Sequence, residues 1–142
     1  MKVLGFDGRY RPLKLKLTKR TRVSKLHERV RNILKSVYPF DLVYEEIALP
    51  GSKTNRHKGL YADFFIPSQS LIVEVHGRQH YEFNSYHYKT ALDFGIAKLR
   101  DNDKVKWCVL NNIDYVELKY DDSDTEWERI IRNRGCEMAT GQ

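Results

Sequence analysis

The chain has 142 residues, 41% hydrophobic and 12% aromatic, with a net charge of +6, which suits one folded domain with a real core and argues against disorder. No apolar run approaches the ~20 residues that a membrane span needs, and the opening MKVLGFDGRYRP lacks the apolar stretch of a secretory signal. Cys108 and Cys136, with no CxxC pair, indicate neither a disulfide framework nor a zinc knuckle, so a reduced, cytoplasmic protein is expected.

Residues 1–22 carry eight Lys and Arg against Asp7 alone, which leaves the remainder close to neutral. A basic N-terminal arm of this kind suits a phosphate backbone, with Arg9, Arg11, Lys19, Arg20 and Arg22 as contacts. A solvated terminus is the plainer reading of the same charges. Gly8 and Pro12 keep its start irregular, and residues 13–17 alternate like a short edge strand.

Ser24 stands as the cap of a helix running to about Val37, with Leu26, Val30, Ile33, Leu34 and Val37 in one stripe and Pro39 beyond its end. Residues 42–49 read as a strand that finishes at Pro50-Gly51. The loop 51–59 holds Lys53, Arg56, His57 and Lys58, either a segment that tracks DNA or an ordinary hairpin loop.

Two apolar runs, 61–66 and 71–76, flank Pro67-Ser68-Gln69-Ser70 and predict a β-hairpin. Asp63, Glu74 and His76 lie inside these strands, where a carboxylate is unfavourable unless paired, hydrogen-bonded or metal-bound. Alternation points Glu74 and His76 to the same face, and pairing about the turn brings Asp63 near Glu74. Two carboxylates and an imidazole at the end of a sheet make a divalent-metal site with a base.

A polar and aromatic loop follows, then a helix from about Tyr86 with Leu92, Ile96 and Leu99 on one face. That phase breaks across residues 100–104, where a bend, a restart or a change of packing partner is expected. Val105, Cys108 and Val109 fall on the other side, and Asp101 extends that inner face. Residues 113–120 read as a last strand. Asp122-Ser123-Asp124 caps a short helix bearing Trp127, Ile130 and Ile131, and 135–142 is a tail. The expected whole is one α/β domain over 23–134, a mixed sheet with helices on its faces.

Asp63, ten intervening residues, then Glu74-Val75-His76 resembles the PD-(D/E)XK nuclease motif, with Ala62 in place of Pro and His76 in place of Lys. The continuation Gly77-Arg78-Gln79-His80 is similar to the very-short-patch mismatch repair endonucleases and the EDxHD homing endonucleases. The ADF…VExxG layout also resembles the phage Holliday-junction endonucleases, which share the glutamate at position 74. The likeness covers about residues 24–118 and implies a restriction-endonuclease-like core.

The resemblance further implies a metal-dependent DNA endonuclease that hydrolyses phosphodiester bonds. A phage-type homing or free-standing enzyme is the first reading, a junction- or mismatch-directed one the second. Asp63 and Glu74 would hold Mg²⁺, for which Mn²⁺ could substitute. His76 and His80 would divide the work on water and phosphate in either order, Gln79 would orient one of them, and Arg78 would touch the backbone. Asp101 would partner a histidine and fix its tautomer, or form a surface ion pair, and Lys104 would contact DNA beside Arg56 and Lys58. The glutamate that the family carries on its first helix falls on His27 by position, with Glu28 as the alternative. A homodimer would allow double-strand cutting. The displaced helix acid and missing motif lysine leave a non-cleaving nucleic-acid-binding module open, and an RNase shares the same chemistry.

Overall fold

The structure, a computed structural model, describes residues 1–17, 22–55, 58–78, 81 and 91–140, with the backbone alone for 93 and 135–140. The first helix, α1 (Lys25–Val37), starts where expected: the Ser24 hydroxyl accepts the His27 N–H at 3.0 Å, replacing one of the intrahelical bonds missing at a helix start. Val30 and Leu34 on its apolar stripe are buried.

Four strands form the main sheet: β3 (Tyr44–Ala48), β4 (Tyr61–Ile66), β5 (Leu71–His76) and β6 (Asp114–Lys119), side by side in that order. β3–β4 and β4–β5 are antiparallel, and β5–β6 is parallel, joined through α2 (Ala91–Leu110). Mixed pairing follows from the connections, since a tight turn can join only antiparallel strands. That turn is the one-turn 3₁₀ segment Pro67–Gln69, closed by Ser70 in the left-handed region. Alternation sorts the side chains into two cores. Phe64, Leu71, Val73, Val116 and Leu118 pack with α1 and α3 (Asp124–Thr140), whereas Phe65 and Ile72 pack with Trp107 and Cys108 of α2.

The N-terminal segment departs from expectation. Residues 13–17 form no strand; instead β1 (Lys2–Leu4) pairs antiparallel with β2 (Tyr10–Pro12). Asp7 clamps this hairpin by accepting from both terminal nitrogens of Arg11 at 2.8 and 2.5 Å. Val3 and Leu13 are buried in the α2-side core, and Asn111 exchanges two hydrogen bonds with the Leu4 main chain. The backbones of Gly5 and Gly51 touch. A Cβ at Gly5 would lie 2.8 Å from the Gly51 Cα, and Gly51 itself has a φ of 73°. The start of the supposed arm is therefore part of the domain, because its few apolar residues find a core that the charge count hides.

Two other corrections concern helices. α2 runs through residues 100–104 as one helix, without a restart, and Leu92 and Leu99 of its first apolar face are exposed. Asp103, Trp107 and Cys108 are its buried residues there, while Val105 is 38% exposed, so the inner face is not the one expected from Asp101 and Val105. α3 continues through the expected tail to Thr140. Ser123 caps its start, its hydroxyl accepting the Glu126 N–H at 3.2 Å.

Candidate functional site

β4 and β5 hold ladder register from Ile66↔Leu71 to Phe64↔Val73 and part beyond it. At the parting, side chains take over from main chain. The Asp63 N–H donates to Glu74 Oε2 at 2.7 Å, and the Val75 N–H donates to Asp63 Oδ2 at 3.1 Å. The expected approach of Asp63 and Glu74 is thus a mutual closure of the splayed ladder. Glu74 is fully buried, and its other oxygen, Oε1, accepts from the Lys104 ammonium of α2.

Burial, followed by the Asp63 charge, pushes the Glu74 carboxyl well above the usual range, against the pull of Lys104. Burial works to lower Lys104, but the carboxylates of Glu74, Asp63 and Asp101 outweigh it and keep the ammonium charged. Two carboxylates around a single ammonium leave this cluster short of positive charge when both acids are ionised.

Asp63 opens onto cavities on both sides of the sheet. The α1-side cavity, about 470 Å³, is lined by Arg22, Ser24, His27, Glu46 and Val75 as well as Asp63. The other, about 590 Å³, adds Lys58, Tyr61, Arg100 and Lys104. Glu46 also borders a third cavity with Asp63. It falls where the β3–β4 ladder skips a pair, between Glu45↔Phe64 and Ile47↔Ala62 and so across from Asp63, and has a φ of 53°, a left-handed conformation uncommon for glutamate. That turn changes the face of β3. Glu45 meets α1, whereas Ile47, two residues on, joins the α2-side core.

His27 is the first-helix residue that reaches the site; Glu28 is exposed. Its ring stacks on Phe64, and its Nε2 lies 2.7 Å from Glu45 Oε1. Arg31 donates to both oxygens of Glu45 at 2.8 and 2.7 Å. Burial would raise the Glu45 carboxyl, but Arg31 and His27 outweigh it and hold it low. His27 is therefore fixed by a charged partner that the sequence did not single out.

His76 shares the face of Glu74 but is 2% exposed, and none of the three cavities at Asp63 includes it. Its Nδ1 lies 2.7 Å from Glu117 Oε1, whose partner oxygen accepts the Tyr81 hydroxyl at 2.8 Å. The His76 contact, above all, draws the Glu117 carboxyl down to about 2. Asp101 is half-buried on α2, one turn before Lys104, and Arg78 is exposed just past β5. Arg9 is exposed on the N-terminal hairpin, where Arg11 is engaged by Asp7. Lys19, Arg20, Arg56, Gln79 and His80 lie outside the described residues.

Sequence reasoning missed Glu46, Glu117, Tyr61 and Arg100. Glu46 stood within a predicted strand, and counting outward from the hairpin turn could not find it without the β3–β4 register. Arg100 was recoverable, because it precedes Lys104 by four residues and helical spacing puts the two on one face.

Among the described residues, no group of three or more His, Cys, Asp or Glu side chains is arranged to hold a metal ion, and no helix is long and apolar enough to cross a membrane. The carboxylate oxygens of Asp63 and Glu74 are the hard donors that Mg²⁺ takes, usually one or two per site.

No family model and no solved structure matches the chain. A 69-residue stretch is 33% identical to the "Uncharacterized protein 307L" of Invertebrate iridescent virus 6, covering 49% of this chain. The match spans 35% of that viral protein's length.

Proposed function

We propose that the chain is a metal-dependent DNA endonuclease with a restriction-endonuclease-like core, of the homing or free-standing type, with a junction- or mismatch-directed enzyme as the alternative. The observation that carries this reading is the meeting of Asp63, Glu74 and Lys104 where β4 and β5 part. The lysine absent from the strand motif is supplied from α2, four residues after Arg100. Asp63 and Glu74 would hold Mg²⁺ or Mn²⁺, which when bound stabilises charge on the phosphate and the leaving oxygen. Lys104 steadies the buried Glu74 and places a positive charge beside the reacting phosphate. A water on the scissile phosphate would be oriented by a histidine, with His80 the better placed by sequence, since His76 is buried against Glu117.

One observation favours a second reading, a non-cleaving nucleic-acid-binding module. Both oxygens of Glu74 are already engaged, by Lys104 and by the Asp63 amide. The two readings part in a cleavage assay on supercoiled, linear and branched DNA with Mg²⁺ or Mn²⁺. The nuclease should cut with metal only, and Asp63→Asn and Lys104→Ala should each lower the rate by about 100-fold. Binding of all three DNAs without cutting by either metal would sink the enzyme reading and leave the module.

A further inference from the structure

The two main cavities at Asp63 differ in character. The α1-side one mixes Glu46, His27 and Arg22, whereas the α2-side one is bounded, among the described residues, by three cationic ones. Arg100 and Lys104 lie one turn apart on α2, and Lys58 shortly precedes β4. Among the described residues Asp63 is the only acid lining this cavity, and Lys104 is itself paired with the buried Glu74. Tyr61, at the start of β4, also lines it and is 59% exposed, although it sits in a strand whose other aromatics, Phe64 and Phe65, are buried.

Cations that follow a backbone beside an exposed aromatic that offers its face to a base are the two parts of a single-strand platform. A base inside a duplex keeps both faces stacked on its neighbours, so an aromatic here can stack only on a nucleotide that is unpaired or splayed out. We infer that the α2-side cavity receives an unpaired nucleotide next to the scissile phosphate, its phosphate toward Arg100 and Lys104 and its base on Tyr61, so that the substrate is single-stranded or branched DNA. This rests on the nuclease reading of the same site and adds the form of DNA on which it acts.

The test is binding in EDTA, where no cutting occurs, of single-stranded, branched and fully duplex oligonucleotides carrying 2-aminopurine. Single-stranded and branched DNA should bind on the order of 10-fold tighter than duplex and quench the 2-aminopurine. Tyr61→Ala should lose about 10-fold in affinity for those two forms, and lose the quench, with little effect on duplex. Tyr61→Phe should keep both, and Arg100→Ala should reduce the salt dependence of binding by about one counterion. Equal loss on all three DNAs, or none, with metal-dependent cutting intact, overturns this inference and leaves the nuclease standing. Absence of binding to any DNA by the unaltered protein overturns both.

Discussion

Glu46 holds a φ of 53° in the middle of a strand, opposite Asp63. For a residue with a Cβ that conformation costs about 1–2 kcal/mol, and strain of this kind gathers at functional sites. Glycine adopts it freely, and a β-branched residue suffers most. In urea unfolding, Glu46→Gly should therefore be more stable than Glu46→Val by at least about 1 kcal/mol. Equal stabilities would mean that the backbone relaxes and that the left-handed turn is not demanded by the fold. At this scale the sequence was most legible where chemistry and spacing coincide. Asp63 and Glu74 could be paired by counting outward from Pro67–Gln69, and their contact follows that count. The partners of His27 and His76 were not legible, since Glu45 and Glu117 reach them from other strands, and a single sequence gives no register between strands distant along the chain.

Among the elements, the β5–β6 pair is the clearest case of electrostatics set by topology. Parallel register places Glu117 opposite Glu74, one step diagonal from His76. Glu117 has its carboxyl drawn from an ordinary 4.5 to about 2, first by His76, with burial opposing. A folded value below the unfolded one means that this contribution is full above pH ~4.5 and fades as pH falls toward 2. The Glu117 side chain is 40% exposed, so solvent screens the effect and its size stays modest. Acid titration of stability should be shallower between pH 4.5 and 2 in Glu117→Gln than in the unaltered protein. An unchanged slope would remove His76–Glu117 from the acid response. The hairpin β4–β5 and helix α1 matched their expected bounds because each carries its own local signals, alternation around a turn in one and a serine cap in the other. The face of α2 was misjudged because Trp107, not Val105, meets the sheet. The Trp107 indole N–H donates to the Pro50 carbonyl at 2.9 Å, a contact no helical period could anticipate.

For the whole molecule, the N-terminal hairpin decides between an appendage and a structural member. The composition of residues 1–22 reads as a charged tail, and so it was expected to be one; the two buried apolar residues Val3 and Leu13 tell otherwise. Removal of residues 1–13 should lower stability by about 3 kcal/mol, the order expected for exposing two buried aliphatic side chains. Neutralising Lys14 and Lys16 to Gln should leave stability unchanged within about 0.5 kcal/mol and weaken DNA binding mainly at low salt. A truncated chain as stable as the full one would restore the free-arm view. The mixed sheet flanked by helices was legible from element order alone, whereas β1–β2 was hidden by Gly8, Pro12 and a run of charge.

Beyond Phe64↔Val73 the ladder between β4 and β5 opens. A closed sheet would satisfy the amides of Asp63 and Val75 with carbonyls; here both are satisfied by the acids proposed to meet metal and phosphate. Any ligand that takes those lone pairs competes with the last rungs of the hairpin for them. Occupancy and local unzipping are therefore two outcomes of a single contest.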